Sequence, residues 1–264
     1  MFDFIARPFG WVLMQVYDLF GSYGLALIIF TLLAKVVLLP FQMKSKKSMI
    51  GMQKIQPKMK ELEKKYKDDK ERYAVAVQQL YKDEGVSMMG GCLPLLLTLP
   101  IMFGLYAVVR QPLTYMFGMD ESAITALAEQ VKVSLEMGIS NAEIQIAAVA
   151  GKVDFSFLGF LDLSATPSFS QINILWIIPV LSGLTSYSVS WISKKYQPAP
   201  QEGQPNTNMM TMLMPLMSVW IAFVVPAGLG FYWVVNNLLS ALQEPVLQWY
   251  YTKYKPIKKS GGEK

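Results

Sequence analysis

Long stretches without a charged side chain are the feature that most limits what this chain can fold into. Residues 85–109, 163–193 and 203–243 contain no Asp, Glu, Lys or Arg. A helix of about 20 apolar residues crosses the roughly 30 Å hydrocarbon layer of a bilayer. Each of the first two stretches therefore predicts one membrane span. The third predicts two, because Pro226-Ala-Gly228 interrupts it near the middle.

A fifth span is predicted close to the N-terminus, where an apolar run is interrupted by one charge, Lys35. Composition agrees with a membrane protein, since 16% of the residues are charged, whereas soluble domains usually carry about 25%. We therefore expect an all-α polytopic membrane protein. Its five spans are predicted at residues 21–43, 86–109, 171–193, 209–225 and 228–250.

The distribution of positive charge orients these spans, because cytosolic loops of membrane proteins carry an excess of Lys and Arg. Segment 44–85 holds 12 of them, loop 194–208 holds two lysines, and tail 251–264 holds five. Segment 110–170 has three positive residues against seven acidic ones. The N-terminus and segment 110–170 are therefore expected outside, and the C-terminus in the cytosol.

The segments outside the spans predict further helices. Residues 1–20 predict an amphipathic helix on the membrane surface, with Leu13 among its lipid-facing residues, and a partly ordered leader is the alternative. Apolar residues recur every three or four positions in 44–85, which indicates a hairpin of two amphipathic helices. Pro57 is expected to kink or split the first of them. Segment 110–170 is expected to be a loop with one short surface helix at 122–137.

The predicted cytosolic hairpin is basic and lies next to the membrane. Anionic lipid and ribosomal RNA are both partners that suit such a surface. Its expected contact residues are Lys54, Lys58, Lys65 and Tyr66. A solvated hairpin without a partner is the alternative.

Several kinds of enzyme are excluded by the residues that the chain lacks. It has no histidine, so neither a Ser–His pair nor an HExxH zinc site can form. The predicted spans contain no Asp, and the sequence contains no glycine-rich phosphate-binding loop. We therefore expect no enzymatic activity, no catalytic residue, no metal site and no cofactor.

Polar side chains repeat along one face of three predicted spans. Thr31, Lys35 and Gln42 share a face of span one, Ser182 and Ser186 share one of span three, and Asn236 and Ser240 share one of span five. A charge at membrane depth is costly and points to function. Together these faces predict a water-accessible concavity within the bilayer. Alternatively, the serines only pack helices together, and Lys35 reaches the interface or pairs with Glu244.

Several motifs in chain order resemble one known family. They include Thr31-Leu-Leu-Ala-Lys35 followed by Pro40, Gly90-Gly91-Cys92-Leu93-Pro94, and Pro226-Ala-Gly-Leu229 followed by Tyr232-Trp233. With these motifs the chain resembles the YidC membrane protein insertases of the Oxa-type superfamily, over about residues 20–250. It looks like a five-span form without the large extracytoplasmic domain of some relatives.

The resemblance implies a five-span core around a hydrophilic groove that is open to the cytosol and to lipid but closed to the outside. The expected function is insertion and folding of nascent membrane proteins in the bacterial cytoplasmic membrane, with the ribosome and a Sec translocon as further candidate partners. Lys35 stands where the family usually has arginine, Thr31 matches a groove threonine, and Trp233, next to Tyr232, matches an aromatic position associated with substrate contact. A secondary transporter and a membrane assembly scaffold are the alternative functions.

Overall fold

The computed structural model describes residues 3–67, 69–86, 93–136, 138–196 and 207–254, and within them it leaves out the side chains of 93–98 and 207–211. The Gly-Gly-Cys motif at 90–92, the loop at 197–206 and the tail from residue 255 lie outside the described residues. The fold is mostly helical, as the sequence predicts.

Ten α-helices and one small sheet make up the described part of the chain. In order they are α1 (Asp3–Phe20), α2 (Tyr23–Lys65), α3 (Lys70–Asp83), α4 (Leu93–Arg110), α5 (Pro112–Tyr115), α6 (Glu121–Gln130), α7 (Ile139–Val149), β1 (Ser156–Phe157), β2 (Leu161–Asp162), α8 (Ile177–Lys195), α9 (Thr207–Ala222) and α10 (Ala227–Trp249). A short 3₁₀-helix, Ile174–Trp176, precedes α8, and a π-helical turn, Tyr250–Tyr254, follows α10.

Two helices are long and apolar enough to cross a membrane by length and composition. They are α2 and the helix Ile174–Lys195, which includes α8. Leu99–Arg110 and Met212–Ala222 are shorter apolar helices within the described ranges. The described residues therefore contain candidate spans at two of the five predicted places and shorter apolar helices at two more.

Helix α2 continues from the first predicted span into the predicted hairpin. It has 43 residues, which corresponds to a length of about 65 Å at ~1.5 Å per residue. Ser22 begins it by accepting a hydrogen bond from the Leu25 amide. The sequence predicts a kink or break at Pro57, but the helix includes both Pro40 and Pro57 and ends only at Lys65. A proline removes one backbone hydrogen bond, and here the bonds on either side maintain the helix.

The second arm of the hairpin is α3, which begins at an aspartate cap. The Asp69 carboxylate accepts a 2.9 Å hydrogen bond from the Arg72 amide, as capping residues do at helix starts. The Lys58 ammonium of α2 contacts the Glu84 carboxylate at the end of α3. The Lys58–Glu84 contact connects the two arms.

Helix α1 packs against α2, α4 and α5. Gly10 makes the close approach to α5 feasible, because a Cβ added there would lie 2.2 Å from the carbonyl oxygen of Tyr115. Phe4 and Trp11 are exposed, but Leu13 is fully buried. The expectation that Leu13 faces lipid was therefore wrong, because the side of α1 that carries it forms part of the protein core.

The segment between α4 and α8 is more ordered than the sequence indicates. The predicted surface helix at 122–137 is shorter, as α6, and the sequence analysis missed α7 and the β1–β2 hairpin. Ser156 pairs with Asp162 and Phe157 with Leu161. Gly159 lies in the connecting turn with a φ of +77°, a conformation that glycine adopts without a steric penalty. The mostly helical character is confirmed, but the expected loop at 110–170 did not include this short hairpin.

This segment, which we call the outer segment because the sequence predicts it to lie outside, is hydrogen-bonded to the start of α10. The Gly228 amide donates a 2.8 Å hydrogen bond to the Leu163 carbonyl, and the Ala227 amide donates one of the same length to the Ala165 carbonyl. The amide and hydroxyl of Thr114 donate to the buried Glu143 carboxylate, at 2.9 and 2.7 Å. The outer segment is thereby fixed over the start of α10.

Candidate functional site

A polar cavity of about 200 Å³ lies between α2 and α10. We call it the polar groove, and define it by its lining residues Lys35, Gln42, Ser45, Lys46, Met49, Asn236, Ser240, Gln243, Glu244 and Leu247. Each side of the groove comes from one helix, because its residues recur at helical spacing along α2 and along α10. Four residues that the sequence analysis assigned to a groove, Lys35, Gln42, Asn236 and Ser240, lie together here.

Three polar contacts connect the two helices across the groove. The Lys35 ammonium donates a 2.6 Å hydrogen bond to the Ser240 hydroxyl. The Gln243 amide group donates to the Gln42 side-chain oxygen, and the Lys46 ammonium lies 2.5 Å from a Glu244 carboxylate oxygen. The contacts follow the same order along both helices, so α2 and α10 run in the same direction along the groove.

Lys46 is the most buried charge in the groove. Its side chain is 2% exposed and that of Glu244 is 22% exposed. The Lys46 ammonium also lies 5.2 Å from the centre of the Tyr196 ring, a distance at which cation–π attraction operates. A buried charge persists only when a partner compensates the loss of hydration, and Glu244 and Tyr196 supply that compensation here.

Lys35 has a different environment from Lys46. The sequence analysis considered Glu244 as a partner for Lys35, but Glu244 pairs with Lys46 instead. Within the described part of the chain, Lys35 contacts a neutral hydroxyl and forms no ion pair. Its ammonium is only partly buried and borders the groove. The groove therefore holds one compensated cation and one cation without a counter-charge.

Lys46 was not among the predicted groove residues, although its spacing along α2 indicates the same helix face. Lys46 lies four residues after Gln42 and eleven after Lys35, so the three residues share one helix face. The lysine run at 44–47 suggests a solvated cytosolic segment, and the predicted span was ended at residue 43 for that reason. Continuing the face of span one for one more turn would have included it.

The two predicted serines of α8, Ser182 and Ser186, and Thr31 lie at helix contacts rather than along the polar groove. The Ser182 hydroxyl donates to the Ser218 carbonyl at 3.3 Å, and the Ser186 hydroxyl donates to the Ser218 hydroxyl at 2.8 Å. The Asn237 amide group donates to Ser186 at 2.9 Å. These bonds link α8, α9 and α10. The buried Thr31 hydroxyl donates to the carbonyl of Leu27 in its own helix.

A second cavity, of about 210 Å³, is apolar and lies between α4, α8, α9 and α10. Trp233, which the resemblance associates with substrate contact, lines this cavity together with Ser182. The Trp233 ring nitrogen donates a 3.4 Å hydrogen bond to the Ser186 hydroxyl. Tyr232 is buried on another side of α10. The predicted site residues are therefore distributed over two cavities and the helix contacts between them.

The hairpin residues lie on α2 and in the turn that follows it. Lys54, Lys58 and Lys65 are exposed, and the Lys65 ammonium lies 5.3 Å from the centre of the Tyr66 ring. Lys58 is 55% exposed despite its contact with Glu84. No cluster of three or more potential metal ligands occurs among the described residues.

Comparison with known proteins places the chain among bacterial membrane proteins. A family model described as 60Kd inner membrane protein matches residues 15–255. A membrane protein insertase YidC of Thioalkalivibrio sulfidiphilus is 34% identical over 99% of this chain and 37% of its own length. A protein of the same name from Oleidesulfovibrio alaskensis is 34% identical over 92% of this chain and 38% of its own length. The chain thus spans little more than a third of the length of these relatives.

A solved structure shares the fold. It is a crystal structure of an active YidC insertase with the first transmembrane domain resolved, and it matches with a TM-score of 0.57 at 24% identity. The match covers 96% of this chain and 47% of the crystallised one. At this identity the similarity concerns the arrangement of the helices, and the polar groove lies between two of those helices.

Proposed function

Because the chain belongs to the 60Kd inner membrane protein family, we propose that it inserts nascent membrane proteins into the bacterial cytoplasmic membrane and helps them to fold. The polar groove carries this proposal. It places a cation without a counter-charge, Lys35, in a helix that is apolar enough to span the membrane. A charge in such a position is expensive and usually serves a function.

The proposed arrangement has five spans, formed by the first part of α2 and by α4, α8, α9 and α10. The apolar character of α2, α8 and parts of α4 and α9 supports it. Positive charge is concentrated in the hairpin and after α10, so the hairpin and C-terminus lie in the cytosol and α1 lies outside. The polar groove then opens toward the cytosol, and the outer segment closes the opposite end through its bonds to Ala227 and Gly228.

The first step of the proposed mechanism is attraction of an acidic client segment. Lys35 and Lys46 contribute two positive charges to the groove and Glu244 one negative charge, so the groove is positive overall. Electrostatic attraction is stronger in a site with low-dielectric walls than in bulk water. An acidic polar tail of a client is therefore drawn toward Lys35.

The second step moves the tail outward and the client helix into lipid. Polar side chains of the groove hydrate the tail through part of the bilayer and shorten the apolar path. Each central Leu or Phe of the client helix gains roughly 0.3–0.6 kcal/mol on insertion. The membrane potential adds about 2.3 kcal/mol per acidic charge for every 100 mV. Neither contribution needs a nucleotide.

A charge reversal at Lys35 tests the attraction step. Lys35→Glu should abolish insertion of a client with an acidic tail, and Lys35→Arg should preserve it, because the charge is kept. Insertion is measured by protease protection of the client in proteoliposomes. Lys47→Glu is the matched control, because Lys47 is exposed on the same helix outside the groove. Equal insertion by Lys35→Glu and the unmodified protein would rule out charge attraction.

The hairpin is proposed to act as the docking surface for the ribosome or for anionic lipid at the cytosolic side. The exposed lysines 54, 58 and 65 support this proposal. A Sec translocon is a further proposed partner, as the resemblance to the insertases implies. A scaffold that only holds partner helices would not contact a client's polar tail. Photocrosslinking from position 35 to that tail separates the two functions.

A further inference from the structure

The apolar cavity borders Tyr106 of α4, which lies one helical turn before the positive charge of Arg110 at the end of that helix. Met102, Phe103 and Tyr106 of α4 line one wall, and Leu229 and Trp233 of α10 line another. Its volume is about 210 Å³, far above the roughly 10–15 Å³ that a cavity needs to hold one water molecule. The cavity is therefore large enough for a short hydrocarbon segment, and its apolar walls do not favour water.

Arg110 lies one helical turn beyond Tyr106 and is held in place by neutral groups. Its guanidinium donates a 2.5 Å hydrogen bond to the Tyr106 hydroxyl and a second bond to the Asn141 side-chain oxygen. It also lies 5.4 Å from the centre of the Tyr106 ring. Arg110 forms no ion pair with any residue in the described ranges.

The nearest acidic side chain in sequence to Asn141 does not neutralise Arg110. Glu143 directs its two carboxylate oxygens at Thr114, one toward the amide and one toward the hydroxyl. The guanidinium is thus oriented by a phenol and an amide, which leave its charge uncompensated. An arginine with this arrangement can bind an external anion, because the paired N–H groups of its planar guanidinium match the oxygens of a phosphate.

We infer that a glycerophospholipid binds here, with its phosphate on Arg110 and part of one acyl chain in the apolar cavity. Met102, Tyr106 and Arg110 are spaced by four residues, so they share one face of α4. Met102 and Arg110 are eight residues apart, which corresponds to about 12 Å along the helix axis. A phospholipid presents the same order of groups, with hydrocarbon at one end and a phosphate at the other. Tyr106 lies between them, where aromatic rings are enriched at membrane interfaces.

Both halves of the site are needed for this ligand. A small free anion would bind Arg110 without using the cavity, and a diacylglycerol would use the cavity without using Arg110. An apolar side chain of a client helix would also fill only the cavity. The phospholipid is the ligand whose charge and apolar part match both features at once, and its binding does not depend on the insertion activity proposed above.

Native mass spectrometry of the detergent-solubilised protein tests the site, with one-to-one adducts of phosphatidylglycerol and of diacylglycerol compared at equal concentration. We expect about tenfold higher occupancy by phosphatidylglycerol, because bonds to a charged group are among the stronger hydrogen bonds. Arg110→Gln should reduce the occupancy by phosphatidylglycerol to that of diacylglycerol. Val225→Phe, which adds bulk to the cavity wall, should reduce both. Arg7→Gln is the control, because Arg7 is an exposed arginine on α1.

Photocrosslinking locates the bound lipid in bilayers. Phosphatidylglycerol that carries a diazirine in one acyl chain should label α4 and α10 peptides around Met102 and Trp233, and Arg110→Gln should reduce this labelling. Unchanged adducts and unchanged labelling in Arg110→Gln would overturn the proposal. Equal occupancy by both lipids would also overturn it and would identify the cavity as a site for apolar groups alone.

Discussion

At the scale of single residues, Lys46 shows how much one buried charge depends on its partner. Lys46 is almost fully buried and Glu244 is the only acid that contacts it among the described residues. Removing one member of a buried pair usually costs more than removing both, because the remaining charge is left without hydration or a partner. The Lys46–Glu244 pair is therefore expected to contribute to stability as a unit.

Glu244→Gln should lower the free energy of unfolding by about 3 kcal/mol. This value is the low end of the range for breaking a buried pair, and we choose it because the Glu244 side chain is 22% exposed. The double change Lys46→Met and Glu244→Leu should recover most of the loss, because it removes both charges. Thermal unfolding in a mild detergent measures both effects.

The exposed pair between Lys58 and Glu84 provides the control for this experiment. Lys58 is 55% exposed, and exposed ion pairs contribute at most about 1 kcal/mol. Lys58→Met should therefore change the unfolding midpoint little. A loss as large as that of Glu244→Gln would show that burial does not determine the strength of these pairs.

At the scale of elements, the contact between α5 and α7 places a carboxylate inside the outer segment. Burial raises the pKa of Glu143 above its usual value of 4.5, and the hydrogen bonds from Thr114 lower it only partly. The folded protein therefore binds a proton at Glu143 more readily than the unfolded chain does. This makes the folded state relatively more stable as the pH falls through the raised pKa, and the advantage is lost as the pH rises again.

Glu143→Gln should remove this pH dependence. Between pH 7 and pH 4, the unfolding midpoint of the unmodified protein should rise relative to that of Glu143→Gln. Glu129→Gln is the control, because Glu129 is exposed on α6, and its difference from the unmodified protein should not change in this way. A constant difference for Glu143→Gln would contradict the expected effect of burial.

Several elements could be predicted from sequence, and the failures have physical causes. Charge-free stretches located α8 and parts of α4 and α9, because apolar length is a property of the segment itself. The β1–β2 hairpin was missed because its four strand residues belong to an aromatic-rich run, 155–163, that also suits a return to the membrane. A split at Pro57 does not occur, because the bonds around the missing amide keep α2 continuous, and a kink there stays a prediction.

The candidate site was predictable only in part for a similar reason. Helical spacing connected Thr31, Lys35 and Gln42 on one face, and Lys35 and Gln42 do line the polar groove. The partners that these residues contact on other helices could not be predicted from helical spacing. Glu244 contacts Lys46 rather than Lys35, and Ser186 contacts Ser218 and Asn237. Such pairings depend on how the helices pack, which a periodic pattern along one helix does not contain.

At the scale of the whole molecule, the proposed orientation predicts which residues are accessible from each side of the membrane. Single cysteines at positions 47 and 152, introduced after Cys92→Ser, should react differently with an impermeant maleimide. Both native residues are exposed lysines, one on α2 and one in the outer segment. Position 152 should be labelled in intact spheroplasts, and position 47 only after lysis. Labelling in the opposite order would invert the proposed topology.

The unbroken length of α2 has a mechanical consequence. Helix α2 has 43 residues. Treated as a straight rod of ~65 Å, it displaces one end by about 11 Å for a tilt of about 10°. One end of this rod carries the exposed lysines of the hairpin, and its middle carries Lys35, Gln42 and Lys46. A movement of the hairpin therefore reaches the wall of the groove through helix alone, and Pro57, between Lys46 and the end of α2, is where that helix bends most readily.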